Sequence, residues 1–251
     1  MIKIIILGAG NVGNHLFRNL NNSKKTKVVQ WYNRSLDSIT KYKKEVAVTN
    51  QIKDLKEADV YLLALSDDVI PEMAKQLKHL NGIIAHTAGS VPMSILNESN
   101  NYGVFYPLQT FSKNRDTDFK NIPICLEASN ESCYQTLFKL ASTFGNNINK
   151  VNSEQRLGLH TAAVFVNNFT NHLYQLGDAI CEEHNISFSL LKPLIKETAV
   201  KIETMTPKDA QTGPALRNDN NTLKKHQDQL FNPDIKNLYL YLTESIQKNN
   251  E

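Results

Sequence analysis

Residues 2–13 read Ile-Lys-Ile-Ile-Ile-Leu-Gly-Ala-Gly-Asn-Val-Gly, and this stretch decides how the N-terminal half folds. Residues 2–7 form an apolar, β-branched run, which is typical of a strand buried on both faces. Residues 11–21 then show helical spacing of their apolar side chains. The pattern G-x-G-x-x-G over 8–13 therefore lies where a strand turns into a helix. We predict a βαβ unit that begins a doubly wound sheet.

Each glycine of this turn has its own physical task. Gly8 permits the tight turn, Gly10 lets a pyrophosphate approach the backbone, and Gly13 lets the helix pack closely on the strand. The first turn of the helix offers free N–H groups and the positive end of its dipole to phosphates. We expect dinucleotide binding by Gly8, Ala9, Gly10, Asn11, Val12 and Gly13. The alternative is a tight structural turn without a ligand.

Asn33-Arg34-Ser35 follow the predicted second strand, at the position that discriminates between nicotinamide cofactors. Sites for NAD usually have Asp or Glu here to hold the ribose 2′-OH. This chain has no carboxylate there to repel a 2′-phosphate. Arg34 offers a forked donor, and Asn33 and Ser35 add hydrogen bonds, so we expect NADP. The alternative is that Arg34 is an ordinary surface arginine and that Ser35 only caps the next helix.

The first half of the chain alternates strand-like and helix-like segments, whereas we find no convincing strand after residue 152. The predicted strands are 2–7, 27–32, 46–48, 60–65, 83–86, 102–106 and 122–127. The predicted helices are 11–21, one after Ser35, 68–79, 131–144, 154–184, 188–205, 220–230 and 234–248. This order predicts an α/β fold, with a Rossmann doubly wound, mainly parallel sheet in residues 1–151 and an all-α domain in residues 152–251.

Composition and charge exclude several function classes. The 251 residues carry a formal net charge of +3, which gives no electrostatic case for nucleic acid or an anionic membrane as a main partner. The three cysteines form no Cys-x-x-Cys pair and the seven histidines lack ligand spacing, so we expect no metal. The N-terminal apolar run is too short for a signal peptide, and no stretch approaches the length of a membrane span. We expect a cytoplasmic protein that binds a small molecule.

Polar side chains follow three of the predicted strands, and ligands in doubly wound sheets bind outside the carboxyl ends of the strands. The candidate cofactor contacts are Leu65 and Ser66 after one strand and His86 and Thr87 after the next. The candidate substrate contacts at this edge are Ser90 and Gln109. The alternative role of Asp67 or Asp68 is to cap the helix at 68–79, and Ser90 could equally be an N-cap.

The long predicted helix at 154–184 has two distinct faces. One face is apolar: Ala162, Phe165, Val166, Phe169, Leu173, Leu176 and Ile180. The opposite face carries His160, Val164, Asn167, Asn168, Asn171, Gln175 and Asp178. The second face either lines a ligand cleft or is a solvated face in an asparagine-rich chain. If it lines a cleft, His160 is the candidate proton donor and Asn168 orients the substrate or the nicotinamide.

A compact polar turn follows at residues 210–219. Arg217 in this turn is a candidate to bind an anionic substrate or a cofactor phosphate. Asp219 either positions Arg217 or caps the helix that follows.

With these segments assembled, the chain resembles a bacterial family in which a Rossmann-like domain precedes an α-helical domain of unknown function. The resemblance is carried by GAGNVG at 8–13, ALSDD at 64–68, HTAGS at 86–90, YPLQTF at 106–111, LHTAAVFVNNFTNHLY at 159–174 and AQTGPALRND at 210–219. The family is generally taken to be NADP-dependent oxidoreductases. The resemblance therefore implies NADP as the cofactor, without an established substrate.

At greater distance the chain is similar to pyrroline-5-carboxylate reductase and to the β-hydroxyacid dehydrogenases, whose helical domain often dimerises. This similarity implies a homodimer through the C-terminal helices. The hydroxyacid dehydrogenases carry a catalytic Lys three residues before an Asn-Asn pair; Asn167-Asn168 resembles the pair, but Val164 stands at the Lys position. Protonation of an alkoxide then has no obvious donor unless His160 replaces the Lys, whereas an iminium is already activated.

Two functions remain open from the sequence. The first is an NADP(H)-dependent oxidoreductase that acts on a small polar carbonyl or imine compound. The second is a non-catalytic NADP-binding sensor or regulator, which the missing Lys motivates. A dimerisation role for residues 152–251 is compatible with either.

Overall fold

A computed structural model describes residues 1–113, 115 and 117–249 of the chain. The chain divides into two compact units, Met1–Asn167 and Asn168–Glu251. The first unit is built on one sheet with helices, and the described part of the second unit is helical. The predicted α/β fold with a helical C-terminal part is confirmed.

The sheet of the first unit has eight strands in the order β3-β2-β1-β4-β5-β6-β7-β8. The strands are β1 Ile2–Leu7, β2 Thr26–Tyr32, β3 Ala47–Thr49, β4 Val60–Leu63, β5 Ile83–His86, β6 Tyr102–Pro107, β7 Ile124–Ala128 and β8 Ile148–Lys150. The first six are parallel, β7 is antiparallel to β6, and β8 is parallel to β7. The strand order reverses between β1 and β4, which is where a doubly wound sheet opens a crevice for ligands.

β1 is central to the sheet and is buried on both faces, as its apolar run predicts. Ile4 and Ile6 pack into one hydrophobic layer, and Ile5 and Leu7 pack into the opposite layer. Successive side chains of a strand point to opposite faces, so one strand supplies both layers. The turn that follows β1 is therefore held by the most buried part of the molecule.

The helices of the first unit are α1 Asn11–Asn21, α2 Ile70–Leu77, α3 Glu131–Ala141 and α4 Ser153–Ala163. The helix predicted after Ser35 is wrong, because the chain forms two short 3₁₀ turns there, Leu36–Ser38 and Thr40–Tyr42. Strand β8 is absent from the sequence prediction. Ile148 is the only apolar residue of β8, so the strand forms no recognisable apolar run, and it pairs with the edge of β7.

A buried ion pair attaches α4 to the sheet. Arg156 on α4 is 1% exposed; its guanidinium binds the Glu127 carboxylate on β7 and donates from Nη2 to the Val91 carbonyl at 2.6 Å. An unpaired cation at this depth would be strongly destabilising. The first unit extends to Asn167 and so contains α4 as well as the sheet. The domain boundary predicted between residues 151 and 152 stays a prediction.

The long helix predicted at 154–184 is interrupted. Between α4 and α5, which spans Thr170–Glu183, residues Val164–Phe169 form a π-helical segment. Hydrogen bonds in a π-helix run to the fifth residue instead of the fourth, so the segment rotates the side chains that follow it. The apolar and polar faces of the predicted helix assumed one uniform period, so neither face continues unchanged across the π-helical segment.

The second unit continues with α6 Lys192–Lys201, α7 Pro207–Ala210, α8 Asn220–Gln229 and α9 Pro233–Lys248. The helix predicted at 188–205 is shorter in the structure, since a 3₁₀ turn at Phe188–Leu191 precedes it. Among the described residues, no helix is both long and apolar enough to cross a membrane.

Candidate functional site at the carboxyl edge of the sheet

The glycine turn between β1 and α1 is fixed by close backbone contacts. Gly8 has φ of +109°, and a Cβ on it would lie 2.1 Å from the Ala64 carbonyl oxygen. A Cβ on Gly13 would lie 2.3 Å from the carbonyl oxygen of Gly8. Both distances are far below van der Waals contact. Gly8 and Gly13 are therefore required for α1 to lie this close to β1 and β4.

Gly10 differs from these two glycines, because a Cβ on it would meet no atom within 4 Å. Gly10 is the N-cap of α1, and its residue type supplies no side chain to satisfy the helix amides. The first turn of α1 also contains no acidic residue that would repel an anion. The space above Gly10 and the amide end of α1 thus fit a pyrophosphate.

Two buried side chains hold the carbonyl oxygens of this turn. The indole Nε1 of Trp31 on β2 donates to the Gly8 oxygen at 2.9 Å. The Asn14 side chain on α1 donates to the oxygens of Ala9 at 2.7 Å and Gly10 at 2.9 Å. These bonds fix the turn before any ligand binds. Neither residue was predicted from the sequence. The signal for Asn14 was a polar residue in the first turn of a helix that follows a glycine turn.

Asn33, Arg34 and Ser35 directly follow β2, at the same edge of the sheet as the glycine turn. Arg34 and Ser35 are exposed, and the Asn33 side chain donates to the Ser35 carbonyl at 2.8 Å. Ser35 precedes the first 3₁₀ turn without accepting a capping hydrogen bond. The alternative that Ser35 serves as a helix cap therefore has no support from the hydrogen bonding.

The residues after β4 and β5 form the adjacent part of this edge. Leu65 is partly buried and Ser66 is exposed, whereas His86 and Thr87 are buried. The Thr87 hydroxyl donates to the Leu63 carbonyl at 3.3 Å, which ties the end of β5 to β4.

The polar residues that follow do not act as caps. Ser90 donates a hydrogen bond from its hydroxyl to the Asp67 carboxylate. α2 begins after Val69 without a side-chain cap, and Pro92 precedes the next 3₁₀ turn. The capping roles considered for Asp67, Asp68 and Ser90 are therefore wrong. Asp67 and Ser90 instead bring an exposed carboxylate and a hydroxyl together between the ends of β4 and β5.

His86 is fully buried at the end of β5. Its Nδ1 accepts a hydrogen bond from the Ala88 amide at 3.2 Å. Burial and, to a smaller extent, the nearby Arg156 cation lower the pKa of His86 to about 3, although the Pro92 carbonyl partly opposes the shift. His86 is therefore a neutral structural group at the base of this edge, and it is too deeply buried to exchange protons with a ligand near neutral pH.

His160 and Tyr106 form a second polar pair in the first unit. Nδ1 of His160 on α4 lies 3.1 Å from the hydroxyl of Tyr106, the penultimate residue of β6. The imidazole also lies against Gly89, where a Cβ would come within 2.6 Å of Nδ1. Burial raises the pKa of Tyr106 above its ordinary value of 10.0, so the phenol stays neutral. The imidazole is thus placed beside the loop that follows β5.

The other predicted site residues lie elsewhere. Gln109 is exposed, and its side chain accepts a hydrogen bond from the Thr110 amide at 2.8 Å. Asn168 lies on the π-helical segment and belongs to the second unit, as does the exposed Arg217. Asp219 caps α8 through the Thr222 amide at 3.1 Å, as one of its two alternatives predicted. The site roles of Gln109, Asn168 and Arg217 stay predictions.

Tyr106 is a further site residue that was not predicted from the sequence, although it lies in the YPLQTF stretch that resembles the family. Nothing in the local sequence links residue 106 to residue 160. In the part of the chain that the structure describes, no group of three or more His, Cys, Asp or Glu side chains could hold a metal ion.

Comparison with known proteins supplies the family. Residues 3–89 match the model described as "NADP oxidoreductase coenzyme F420-dependent", and residues 122–246 match a domain of unknown function, DUF2520. A Bacteroides fragilis protein described as a "putative NADP oxidoreductase" is 38% identical, with 98% of each chain covered and a TM-score of 0.91. The chain belongs to this family of NADP oxidoreductases. NADP is therefore its cofactor, as the resemblance of the six sequence stretches implied.

Two enzymes share the fold at low sequence identity. An imine reductase from a Pseudomonas species is 15% identical, with a TM-score of 0.67 over 99% of this chain and 94% of its own. A reductive aminase from Aspergillus terreus, in complex with NADPH and ethyl levulinate, is 13% identical, with a TM-score of 0.68 over 99% and 93%. No curated protein matches the chain.

The burial of His86 makes stability depend on pH. The unfolded chain binds a proton on His86 near pH 6.5, but the folded chain does so only near pH 3. Above pH 6.5 His86 is neutral in both states and does not reduce the free energy of unfolding. As the pH falls below 6.5, only the unfolded chain takes up this proton, so the free energy of unfolding falls by about 1.4 kcal/mol per pH unit. Between pH 7 and pH 5, the free energy of unfolding measured with urea should therefore fall by about 2 kcal/mol more in the wild type than in His86→Asn.

The exposed His79 provides the control for this titration. His79→Asn should keep the pH dependence of the wild type, whatever its stability at pH 7. If the free energy of unfolding depends on pH equally in His86→Asn and in the wild type, the conclusion that the buried imidazole is neutral would be wrong.

Proposed function

We propose that the protein is a cytoplasmic NADP(H)-dependent oxidoreductase that transfers a hydride to or from a small polar carbonyl or imine compound. The observation that carries the proposal is that an open glycine turn and an imidazole–phenol pair belong to the same carboxyl edge of one sheet. In a doubly wound fold this edge holds the cofactor and the reacting carbon.

The cofactor binding is proposed residue by residue. Residues 8–13 hold the pyrophosphate at the amide end of α1, where Gly10 leaves space. Asn33, Arg34 and Ser35 hold the ribose 2′-phosphate, since Arg34 is exposed beside the end of β2. Leu65, Ser66 and Thr87 form the proposed wall along the nicotinamide half. His86, expected from the sequence to contact the cofactor, is fully buried and supports this wall from beneath. Ser90, Gln109 and Arg217 are the proposed substrate contacts.

The reacting groups follow from this placement. Bound NADPH supplies a hydride, and the protein supplies orientation and a proton. His160 is the proposed proton donor, because its imidazole is only partly buried beside the β5 loop and Nε2 is the ring atom not bound by Tyr106. Asn168 is proposed to orient the substrate or the nicotinamide.

A homodimer through the C-terminal helices is the last part of the proposal. The second unit exposes large apolar side chains that a second copy would cover: Ile186, Leu190, Leu194, Val200, Ile202, Met205, Phe231, Tyr241 and Leu242. Leu190 and Leu194 are 70% and 62% exposed, which is unusual for neighbouring leucines in a monomer. Two copies that bury such surface would be stabilised by the hydrophobic effect.

Gly10→Ala tests the pyrophosphate site. The added methyl group meets no protein atom, so the free energy of unfolding should change by less than about 1 kcal/mol. A bound pyrophosphate would collide with it, and the Kd for NADP measured by calorimetry should rise by about 10-fold or more. Gly158→Ala, whose Cβ also enters open space, should leave the Kd unchanged. Unchanged NADP affinity in Gly10→Ala would refute this site.

Arg34→Ala tests the choice between the two nicotinamide cofactors. Loss of a charged hydrogen bond to the 2′-phosphate should weaken NADP by about 10-fold or more and leave NAD nearly unaffected. Lys43→Ala removes an exposed charge on the neighbouring loop and serves as the matched control. Equal losses for NADP and NAD would show that Arg34 does not contact the 2′-phosphate.

Turnover tests the catalytic part of the proposal. Purified protein should oxidise NADPH in the presence of at least one member of a panel of aldehydes, ketones and imines. His160→Ala should lower kcat by about 100-fold or more, and His79→Ala should not. NADP binding without turnover would favour the non-catalytic sensor, and wild-type rates in His160→Ala would eliminate His160 as the donor.

Sedimentation equilibrium tests the dimer. Leu194→Glu places a charge within the exposed apolar surface and should shift the protein from dimer to monomer. Lys196→Glu alters the charge of the same helix at an exposed position and should remain dimeric. A monomeric wild type would end this part of the proposal without affecting the cofactor site.

A further inference from the structure

The imidazole of His160 makes two close contacts that a proton donor does not in itself require. Tyr106 on β6 and Gly89 after β5 contact the imidazole from two sides, with the Tyr106 hydroxyl 3.1 Å from Nδ1. The two rings meet edge to face at 75°, with centroids 6.1 Å apart. A solvated histidine would need neither contact.

We propose that Tyr106 is a positioning residue that binds Nδ1 of His160 and thereby leaves Nε2 to protonate the oxygen of a carbonyl substrate. This inference rests on the proposed function and deepens it, because it names the reacting ring atom and the substrate class. Tyr106 acts through His160 and does not itself contact the substrate.

The hydroxyl of Tyr106 suits both protonation states of the imidazole. It accepts a hydrogen bond from Nδ1–H of the charged ring and of the neutral ring that remains after Nε2 has given up its proton, and it can donate to Nδ1 in the other neutral tautomer. A carboxylate could only accept, and an ammonium group could only donate. Tyr106 is 9% exposed, so water competes little for its hydroxyl. The ring orientation can therefore stay the same while His160 gains and loses its proton.

Gly89 provides the space for this orientation. Its φ is not positive, so the backbone itself does not require glycine there. A Cβ would lie 2.6 Å from Nδ1 and 2.7 Å from Cγ of His160, closer than such atoms approach each other. Any side chain at position 89 would therefore displace the imidazole from Tyr106.

The proposed step reduces a carbonyl substrate to an alcohol. The hydride that NADPH supplies forms a C–H bond at the carbonyl carbon, and the π electrons move to the oxygen. The oxygen takes the Nε2 proton of charged His160, which gives an alcohol, NADP⁺ and a neutral imidazole. Solvent then returns a proton to His160. A preformed iminium takes up the hydride without this proton, so its reduction would not depend on Tyr106.

Nuclear magnetic resonance of the uniformly ¹⁵N-labelled full chain tests the positioning without any substrate. Tyr106→Phe removes the hydroxyl and Gly89→Ala displaces the ring, so each should change the chemical shift of His160 Nδ1. Tyr102→Phe, a change of the same type on the same strand, should leave the shift unchanged. An Nδ1 shift that is the same in Tyr106→Phe and in the wild type would overturn the proposal.

Steady-state kinetics with NADPH and an active aldehyde or ketone from the panel test the chemistry. Tyr106→Phe should lower kcat by about 3- to 10-fold with little change in KM, as expected for loss of one hydrogen bond. In a His160→Gln background the same substitution should have no further effect, because Tyr106 acts only through His160. Additive losses, or equal loss with a preformed cyclic iminium, would overturn the proposal.

The two measurements separate this inference from the proposed function. If no compound in the panel supports NADPH oxidation, the proposed function fails, and the claim that His160 protonates a carbonyl fails with it. The Nδ1 measurement then still decides whether Tyr106 positions the imidazole.

Discussion

The first unit depends on the approach of three backbone segments around Gly8. The start of α1, the end of β1 and the end of β4 come so close there that only hydrogen fits at Gly8 and Gly13. Because the backbone of Gly8 is also held by Trp31, the second strand joins the same junction. This packing directs the amide end of α1 towards the crevice where the strand order reverses, and the proposed cofactor site depends on it.

A second constraint operates farther along the sheet, where Arg156 is buried against Glu127. This pair attaches α4 to β7 and so fixes the helix that carries His160. The same cation, together with burial, keeps His86 neutral. One buried charge thus contributes both to the position of His160, the proposed proton donor, and to the neutrality of His86. His86 and His160 differ in burial, since His86 is fully buried and His160 is only partly buried.

The sequence predicted the sheet and the glycine turn between β1 and α1 well because both depend on local patterns. An apolar run, a glycine spacing and a missing carboxylate after β2 are each contained within a few residues. Prediction failed where the structure depends on residues that are distant in the chain or where the local pattern is weak. β8 has a single apolar residue, and the π-helical segment at Val164–Phe169 interrupts a stretch whose apolar spacing predicted one continuous helix. The capping roles of Asp67 and Ser90 were wrong because the two side chains bind each other across separate loops.

The sequence by itself determined the doubly wound fold, the family and the use of NADP, since these follow from residues that are neighbours in the chain. Only the tertiary structure paired Tyr106 with His160, Arg156 with Glu127 and Gly89 with the imidazole. The physical reason is that a hydrogen bond or an ion pair depends on distance in space. Strand order and helix packing set that distance between residues that are far apart in the chain. The distance therefore cannot be derived from periodicity along the sequence.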